Sequence, residues 1–337
     1  MDLKIIDHFS GFDQQDWDSL VERSETNVPF LRYGYLKNWW EFKGGGEWPE
    51  NSDLVLIAGF SDDQLVGIAP LFSPADADEK KLLLLGSIEI SDYLDLICLP
   101  EHKPEFIRKT LALVAQDMPG ISLIDFINIP QTSSTLQLTE ENAGKAGWKS
   151  AIEQAYHTPA ITLAEDWDTY LAGIDKKQRH EIRRKMRRAE ENSDLIQWHI
   201  VEEQEKLDSE IQAFFSLMEM DPDKKKFLTL QMRIQMSEIC HWAFDEGILQ
   251  LSFLQIGQSK AAGYLCFDYG KHLLVYNSGF DYQFSEYSPG WVLLSYLIQH
   301  AIKTGKSHFD FMRGDETYKY RFGAEDGFVM RALLTRV

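Results

Sequence analysis

The sequence predicts an α/β (α+β) fold in which one structural unit occurs twice. Two segments have the pattern of a β-hairpin, residues 54–72 and residues 249–267, and a glycine takes the matching place in each, Gly67 and Gly263. A further strand, an apolar helix and a strand ending in Asp-Phe follow each hairpin. The order β, α, α, β, β, β, α, β therefore predicts two tandem domains built alike.

Each element of the repeat has its own signal in the sequence. Polar turn residues join the strands of the two hairpins, Ser61-Asp62-Asp63 in the first copy and Gly257-Gln258-Ser259 in the second. Asp125-Phe126 and Asp310-Phe311 end the last strand of each copy. Apolar residues at helical spacing predict the helices 14–24, 32–42 and 103–117 in the first copy and 203–218, 225–244 and 288–304 in the second.

A boundary between the two copies falls within residues 151–163. Thr158-Pro159 interrupts the pattern there, and Asp166 or Asp168 then offers an N-cap for a new helix. We therefore expect an N-terminal domain over residues 1–157 and a C-terminal domain over residues 158–337.

Composition narrows the class of protein. The chain has 337 residues, 44% of them apolar, and a formal charge of −19, which opposes a general attraction to nucleic acids or anionic membranes. Cys98, Cys240 and Cys266 each lie in an apolar stretch and are expected to be buried thiols. The start, MDLKIIDHFS, lacks the features of a signal peptide, and the apolar runs are too short to cross a bilayer. We expect a soluble cytoplasmic protein without a membrane span.

The C-terminal domain opens with a strongly basic helix, residues 168–190. Within it, residues 176–188 carry eight Lys or Arg against one Glu, so the remainder of the chain has a charge of −26. Apolar residues gather on one arc of the helix and cations spread over the other. The cations, Arg183 and Arg184 among them, either balance the acidic remainder through surface ion pairs or guide a polyanionic donor or acceptor.

Two further segments are candidates for a site. Ser288-Pro289-Gly290 lies between a predicted strand and the apolar helix that continues from Trp291, so it is either an ordinary capped helix start or a place where unpaired N–H groups bind phosphate. Residues 307–326 place an Arg, Asp, Tyr and Lys cluster directly after a strand, where open α/β sheets usually hold a site. That cluster has an alternative interpretation as a buried cation that satisfies carbonyls beside a solvated polar face.

The duplicated order of elements, the junction SGFDYQFSEYSPG and the ending DFMRGDETYKYRFG together resemble the GNAT acyltransferase superfamily, and within it the double-domain FemAB/CelD-like acetyltransferases. The resemblance implies two GNAT-like domains, each with a mixed, mostly antiparallel central sheet flanked by helices. It also implies a donor site in the C-terminal copy, between two splayed central strands. The usual pyrophosphate loop is replaced here by FSEYSPG, which keeps only Gly290 of its glycines. Some relatives use acyl-coenzyme A, and the FemAB-type members use aminoacyl-tRNA to extend peptidoglycan bridges.

Direct acyl transfer needs a base, donors for an oxyanion and an acid for the leaving group. Candidates for the base are Asp281 and Glu286, and candidates for the acid are Tyr287 and Tyr318. Arg313 and Lys319 are expected to clamp an anionic group. The residues expected to bind the donor are Ser288, Gly290, Trp291, Arg183 and Arg184. An acyl-enzyme is not expected, because a GxSxG elbow and a Cys with a neighbouring His motif are both missing from the sequence, and the scattered histidines suggest no metal.

The function expected from these residues and the resemblance is GNAT-type N-acyl transfer. The acyl group would move from acyl-CoA, such as acetyl-CoA, to an amine of a sugar, an amino acid or a cell-envelope precursor. One alternative is a FemAB-like peptidoglycan aminoacyltransferase that uses aminoacyl-tRNA, which the overall acidity disfavours and the basic helix favours. Another alternative is a non-catalytic binding protein in polysaccharide synthesis. The first copy lacks a cluster like RGDETYK, so we expect it to be structural or to shape the acceptor cleft.

Overall fold

The protein is described by a computed structural model that covers residues 1–75, 79–192 and 195–337. Its residues group into two compact units. Unit 1 comprises Met1–Tyr156 and Phe328–Val337, and unit 2 comprises His157–Gly327. The expected boundary after residue 157 lies one residue from this division, whereas residues 328–337, expected in the C-terminal domain, group with unit 1.

The strands are, in chain order, β1 (Asp2–Ile6), β2 (Asp53–Ser61), β3 (Gln64–Ser73), β4 (Lys81–Leu84), β5 (Ile97–Cys98), β6 (Leu123–Pro130), β7 (Trp148–His157), β8 (Ala160–Thr162), β9 (Ile196–Ile200), β10 (Leu249–Ile256), β11 (Ser259–Tyr269), β12 (His272–Phe280), β13 (His308–Asp310) and β14 (Phe328–Arg336). The helices are α1 (Gln14–Arg23), α2 (Tyr33–Glu41), α3 (Lys43–Gly46), α4 (Lys103–Asp117), α5 (Ser134–Ala143), α6 (Trp167–Gly173), α7 (Lys176–Glu191), α8 (Leu207–Met218), α9 (Pro222–Phe227), α10 (Leu230–Asp245), α11 (Pro289–Lys303) and α12 (Thr317–Arg321).

The two sheets share one topology. Sheet 1 has the order β1-β2-β3-β4-β6-β14-β7, with β5 also on β3, and sheet 2 has the order β8-β13-β12-β11-β10-β9. Four antiparallel strands come first in both, β1 to β4 and β9 to β12. A parallel pair follows, β4 with β6 and β12 with β13, and then an antiparallel strand, β14 or β8. This confirms the predicted fold, a tandem pair of mixed, mostly antiparallel sheets flanked by helices.

Glycine residues allow a helix to pack closely on the centre of each sheet. Gly59 and Gly67 are opposite each other on β2 and β3, and a Cβ at either position would meet the ring of Phe106 from α4 at 2.8 Å. In unit 2, a Cβ at Gly279 would lie 2.5 Å from the backbone of Met218 in α8. The opposite face of sheet 2 is covered by apolar side chains of α7 and α11.

The basic segment 168–190 differs from the single helix expected. It forms two helices, α6 and α7, because the chain turns at Ile174 and a second cap follows. Asp166 accepts from the N–H of Thr169 at the start of α6, and Asp175 accepts from the N–H groups of Lys177 and Gln178 at the start of α7. Each helix therefore has its own aspartate cap, and the basic residues lie mainly on α7.

The cysteine residues Cys98, Cys240 and Cys266 are free and buried, as the sequence predicts. Burial raises the pKa of the Cys240 thiol to about 12. Within the ranges that the structure describes, no helix combines the length and the apolar character needed to cross a membrane.

Candidate active site

An opening at the centre of sheet 2 is the feature on which the candidate site is built. The parallel strands β12 and β13 pair only over His272–Leu274 and His308–Asp310, whereas β12 continues to Phe280. A bulge at Tyr276 bends β12 just beyond the paired part, since Leu265 pairs with Asn277 and Cys266 with Val275. The two strands therefore separate toward their carboxyl ends, which is where ligands bind in open α/β sheets.

A cleft of about 430 Å³ occupies this opening, within unit 2. Its wall is mainly aromatic, with two lysines and two carboxylates facing the same space. The aromatic residues are Tyr264, Phe280, Tyr282, Trp291, Tyr318 and Phe322. The charged and hydroxyl residues are Lys185, Lys224, Asp281, Glu316, Ser278, Ser285 and Ser288. An apolar wall with a few convergent polar groups is the usual composition of a small-molecule site.

Helix α11 points its first turn into the cleft. Ser288 occupies the N-cap position with a left-handed backbone (φ 52°, ψ 52°), and its hydroxyl does not cap the helix, in contrast to the ordinary capped start that the sequence also allowed. Pro289 has no N–H, and the N–H groups of Gly290 and Trp291 donate to no residue among those described. A Cβ at Gly290 would collide with the ring of Phe280. The helix start is thus narrow, uncapped and positively polarised.

Trp291 connects this helix start to the basic helix α7. The Nζ of Lys185 lies 4.2 Å from the centroid of the Trp291 ring, and Glu181 pairs with the same ammonium at 3.1 Å. The Trp291 ring also contacts Phe322, with 4.6 Å between ring centroids, and its indole N–H is buried without a partner among the described residues. One cation of α7 therefore belongs to the cleft itself.

Lys224, on the short helix α9, is a cleft residue that the sequence analysis did not select. Its Nζ donates to the carbonyl oxygen of Ser278 at 2.5 Å and to Oδ1 of Asn277 at 3.0 Å. Burial lowers the pKa of Lys224, and the charges of Asp221 and Glu316 partly oppose this. A partly desolvated ammonium held by neutral oxygens thus faces the end of β12.

The turn 281–288 forms one wall of the cleft and carries three of the predicted catalytic residues. Asp281 lines the cleft, and its Oδ1 accepts from the N–H of Gln283 at 2.9 Å. Glu286 is exposed, and its carbonyl oxygen accepts from Arg188 at 2.8 Å. Tyr287 packs against the core of unit 2, with the Arg188 guanidinium 5.0 Å from its ring. Of these three, the cleft includes Asp281.

The segment after β13 places Tyr318 in the cleft and Lys319 beneath it. Burial raises the pKa of the Tyr318 phenol well above its ordinary value. Lys319 is 2% exposed, and its Nζ donates to the carbonyl oxygens of Arg313 at 2.8 Å and Gly314 at 3.0 Å and pairs with Glu316 at 2.9 Å. Met312 and Gly314 have positive φ values, so the ammonium holds a tight, strained loop.

The remaining predicted residues lie outside the cleft wall. Arg313 is half-buried in the loop that Lys319 organises. Arg183 is exposed on α7, 3.5 Å from Asp168, and Arg184 is exposed on the same helix. The cleft thus brings together Asp281, Ser288, Gly290, Trp291 and Tyr318. It adds Lys185, Lys224 and Glu316, for which the only signal in the sequence was their place in charged segments. The His, Cys, Asp and Glu residues of the described ranges form no group of three suited to a metal ion.

The corresponding opening of unit 1 is filled by the chain itself. β4 and β6 also pair over three residues, Lys81–Leu83 with Leu123–Asp125. Beyond them the N–H of Leu94 donates to the carbonyl oxygen of Asn128 at 2.9 Å, and the Asn128 amide donates to the carbonyl oxygen of Ser91 at 2.7 Å. Leu94 is fully buried there. Protein atoms thus occupy the opening of unit 1 that corresponds to the cleft of unit 2.

Comparison with known proteins identifies similar folds and one matching domain model. Residues 176–320 match the family model described as an acetyltransferase (GNAT) domain. The structure of FemX superposes with a TM-score of 0.69 at 12% identity, covering 100% of this chain and 98% of that chain. L-PGS from Bacillus licheniformis gives a TM-score of 0.57 at 12% identity, covering 96% of this chain and 92% of that one.

A tandem GNAT protein from the clavulanic acid biosynthesis pathway gives a TM-score of 0.51 at 10% identity, with 98% of each chain covered. No curated protein sequence matches this chain at a significant level. The structural likenesses, at these identities, establish the tandem fold, and the family match establishes the GNAT domain within unit 2. The chain therefore has the tandem fold of these proteins, and its residues 176–320, which lie in unit 2, match the acetyltransferase (GNAT) domain model.

Proposed function

We propose that the protein transfers an acyl group from acyl-CoA, such as acetyl-CoA, directly to an amine of a sugar, an amino acid or a cell-envelope precursor, with the donor bound in the cleft of unit 2. The observation that carries this proposal is the cleft between the separated strands β12 and β13, with the uncapped start of α11 at its edge. Unit 1 would not bind a donor, because residues around Leu94 fill its corresponding opening.

Donor phosphates fit the first turn of α11. The N–H groups of Gly290 and Trp291 lack described partners, and the helix dipole adds partial positive charge at this end of a 15-residue helix. Lys185 supplies a full positive charge beside Trp291. These groups bind an anion locally, which a chain of net charge −19 requires. The aromatic wall would then contact the apolar part of the donor.

The cleft also contains groups suited to the chemistry of transfer. The acceptor nitrogen would attack the thioester carbonyl carbon and lose its proton to a carboxylate, Asp281 or Glu316. As the carbon–sulfur bond breaks, the leaving thiolate would take a proton from the phenol of Tyr318, which its raised pKa keeps protonated at neutral pH. The products are the amide and the free thiol, and no covalent enzyme intermediate is needed. A proton passed through solvent from the carboxylic acid to the Tyr318 phenolate would restore the enzyme. Lys224 would place a positive charge near the end of β12, where the oxyanion forms.

Aminoacyl-tRNA is the second candidate donor. The specific observation in its favour is that Lys185 lines the cleft while it belongs to α7, and most other cations of that helix, such as Arg184, are exposed. A polyanion could follow these charges away from the cleft, and its affinity would then fall steeply with salt. Acyl-CoA remains the first candidate because the rest of the chain is strongly acidic.

Calorimetric titration tests the proposal and separates the two donors. We expect acetyl-CoA or a longer acyl-CoA to bind the intact protein, and a Ser288→Ala/Gly290→Val double variant to bind at least about tenfold more weakly, because the added side chain crowds the helix start against Phe280. Gly144→Val is the control, since a Cβ at Gly144 would meet nothing within 4 Å.

Binding of aminoacyl-tRNA alone, with an affinity that falls steeply as salt rises, would replace acyl-CoA as the donor. Equal binding of acyl-CoA by the folded double variant would move the donor site elsewhere. Failure of the intact protein to bind any of these donors would overturn the proposed function.

A further inference from the structure

Arg188 connects the basic helix α7 to the turn 281–288, which forms one wall of the cleft. The guanidinium Nη1 of Arg188 donates to the carbonyl oxygen of Glu286 at 2.8 Å, and Nη2 lies 3.8 Å from the Glu286 carboxylate. The same guanidinium lies 5.0 Å from the centroid of the Tyr287 ring. One side chain therefore makes three different contacts to two successive residues of the turn 281–288.

The turn depends on few other attachments. Its first N–H, that of Asp281, donates to the carbonyl oxygen of Ala261 in the sheet at 2.9 Å. Its internal bonds are local, from the N–H groups of Gln283 and Phe284 to Asp281 and from the N–H of Ser288 to the carbonyl oxygen of Ser285. Half of its residues are exposed. Between its two ends, Phe284 and Tyr287 pack against the core of unit 2, and Arg188 supplies the polar contacts to a neighbouring helix. Backbone with few outside hydrogen bonds is expected to open easily.

Movement of this turn would change the cleft directly. Asp281, Tyr282, Ser285 and Ser288 all line it, and Ser288 leads into the first turn of α11. The left-handed backbone of Ser288 is a strained conformation for a residue with a side chain, so it must be maintained by its surroundings. A contact that holds Glu286 and Tyr287 therefore also restrains the N–H groups expected to meet the donor.

We propose that Arg188 is a positioning residue, which holds the turn 281–288 and the start of α11 in the arrangement that admits the donor. The inference rests on the proposed donor site and assigns part of the basic helix a role that does not involve touching the donor. The bond to a backbone carbonyl is central, because it does not depend on the charge of Glu286, and an exposed ion pair alone contributes little. An arginine can make this bond and cover the Tyr287 ring at once, through its planar fork.

The chain offers a matched control one residue away. Arg187 is also on α7, and its side chain is 71% exposed with only a 4.0 Å contact to Glu191 of its own helix among the contacts described. Arg187→Ala removes the same charge as Arg188→Ala and leaves the turn untouched. Arg188→Lys keeps the charge and a donor group but loses the planar fork.

The experiment measures amide hydrogen exchange of residues 283–288 without ligand, and donor binding by calorimetry, in the three variants and the unaltered protein. We expect Arg188→Ala to speed exchange in this turn and to weaken donor binding by about three- to tenfold, the size of one lost hydrogen bond. Arg188→Lys should restore part of both effects. Arg187→Ala should match the unaltered protein in both. In steady-state assays, Arg188→Ala should raise the donor KM more than it lowers kcat.

Unchanged exchange in Arg188→Ala would overturn the proposal whether or not a donor has been found, so it is separable from failure of the proposed function. Faster exchange with unchanged donor affinity would overturn it as well, because the turn would then not control the site. An equal effect of Arg187→Ala on donor affinity would show that the charge of α7, rather than this contact, is what matters.

Discussion

Lys319 shows how a single residue in a charged motif can have a structural use. Its ammonium is almost completely buried beneath the cleft and satisfies the carbonyl oxygens of Arg313 and Gly314 while it pairs with Glu316. The loop it holds includes Met312 and Gly314 at positive φ. Its donors are therefore already engaged, and these contacts favour support of Tyr318 and Glu316 over a direct clamp on substrate.

Replacing Lys319 should mainly cost stability. We expect Lys319→Met to lower the free energy of unfolding by about 2–3 kcal/mol, because the loop carbonyl oxygens lose their donor. Denaturant unfolding measures this, with Arg321→Met, an exposed cation on the same helix α12, as the control. A folded Lys319→Met protein of normal stability that has lost all transfer activity would instead support a direct role on the substrate.

At the residue scale, the sequence indicates those site residues whose position follows from the local order of elements along the chain. Ser288, Gly290, Trp291 and Asp281 reach the cleft because a strand, a turn and a helix start succeed one another there. Lys224 could not be found this way, since it is brought to the cleft by a separate helix and is noticeable only once its bonds to Ser278 and Asn277 are seen.

At the scale of elements, Glu25 ties two helices of unit 1 together. Its carboxylate accepts from the N–H of Ser134 at the start of α5 and from the ammonium of Lys103 in α4 at 2.7 Å. Lys103 also lies 3.5 Å from the buried carboxylate of Asp95. Partial burial alone would raise the pKa of Glu25, but the hydrogen bonds from Lys103 and Ser134 outweigh it and lower the pKa.

This arrangement predicts a pH dependence of stability. Because the pKa of Glu25 is lower in the folded protein than its ordinary value of 4.5, its contribution is present above pH 4.5 and is lost as the pH falls through the folded-state pKa. We expect Glu25→Gln to lower the free energy of unfolding by about 0.5–1 kcal/mol at pH 7, a value reduced by solvent screening, and to lose less stability on acidification. Denaturant unfolding at pH 7 and pH 3.5 measures this, and Glu22→Gln, on α1, is the control. Parallel pH profiles for all three proteins would contradict it.

The helices with a strong apolar stripe could be predicted from the sequence, whereas helices whose ends are fixed by tertiary contacts or local caps could not. Residues 103–117 form α4 as expected, with Phe106, Ile107, Leu111 and Val114 buried. By contrast, α5 has a weak stripe and is held at its start by Ser133 and by Glu25 from a distant segment. The segment 168–190 divides because local capping by Asp175 stops one helix and starts another.

At the scale of the whole molecule, the two sheets share one topology but differ in what occupies the space between their separated strands. Both sheets separate after a three-residue parallel pair. In unit 2 that space forms the cleft, whereas in unit 1 the described residues around Leu94 occupy it. The hairpin repeat in the sequence predicted the duplication. The path of the last strand was not predictable, because β14 alternates like any strand and its partner, β6, lies about 200 residues earlier in the chain.

Strand β14 should be essential for unit 1 and dispensable for unit 2. It lies between β6 and β7, and Arg331 donates from Nε and Nη2 to the Asp125 carboxylate at 2.8 and 2.7 Å. A chain ending at Gly327 would leave β6 and β7 with unpaired edges, so we expect unit 1 to lose its cooperative unfolding transition. The donor should still bind to unit 2, since that sheet is complete without β14.

Adding residues 328–337 as a peptide should restore the transition of unit 1, and an Arg331→Ala peptide should do so less well. Calorimetric melting of the shortened chain, with and without each peptide, measures this transition. A cooperative transition of unit 1 without any peptide would contradict the essential role of β14.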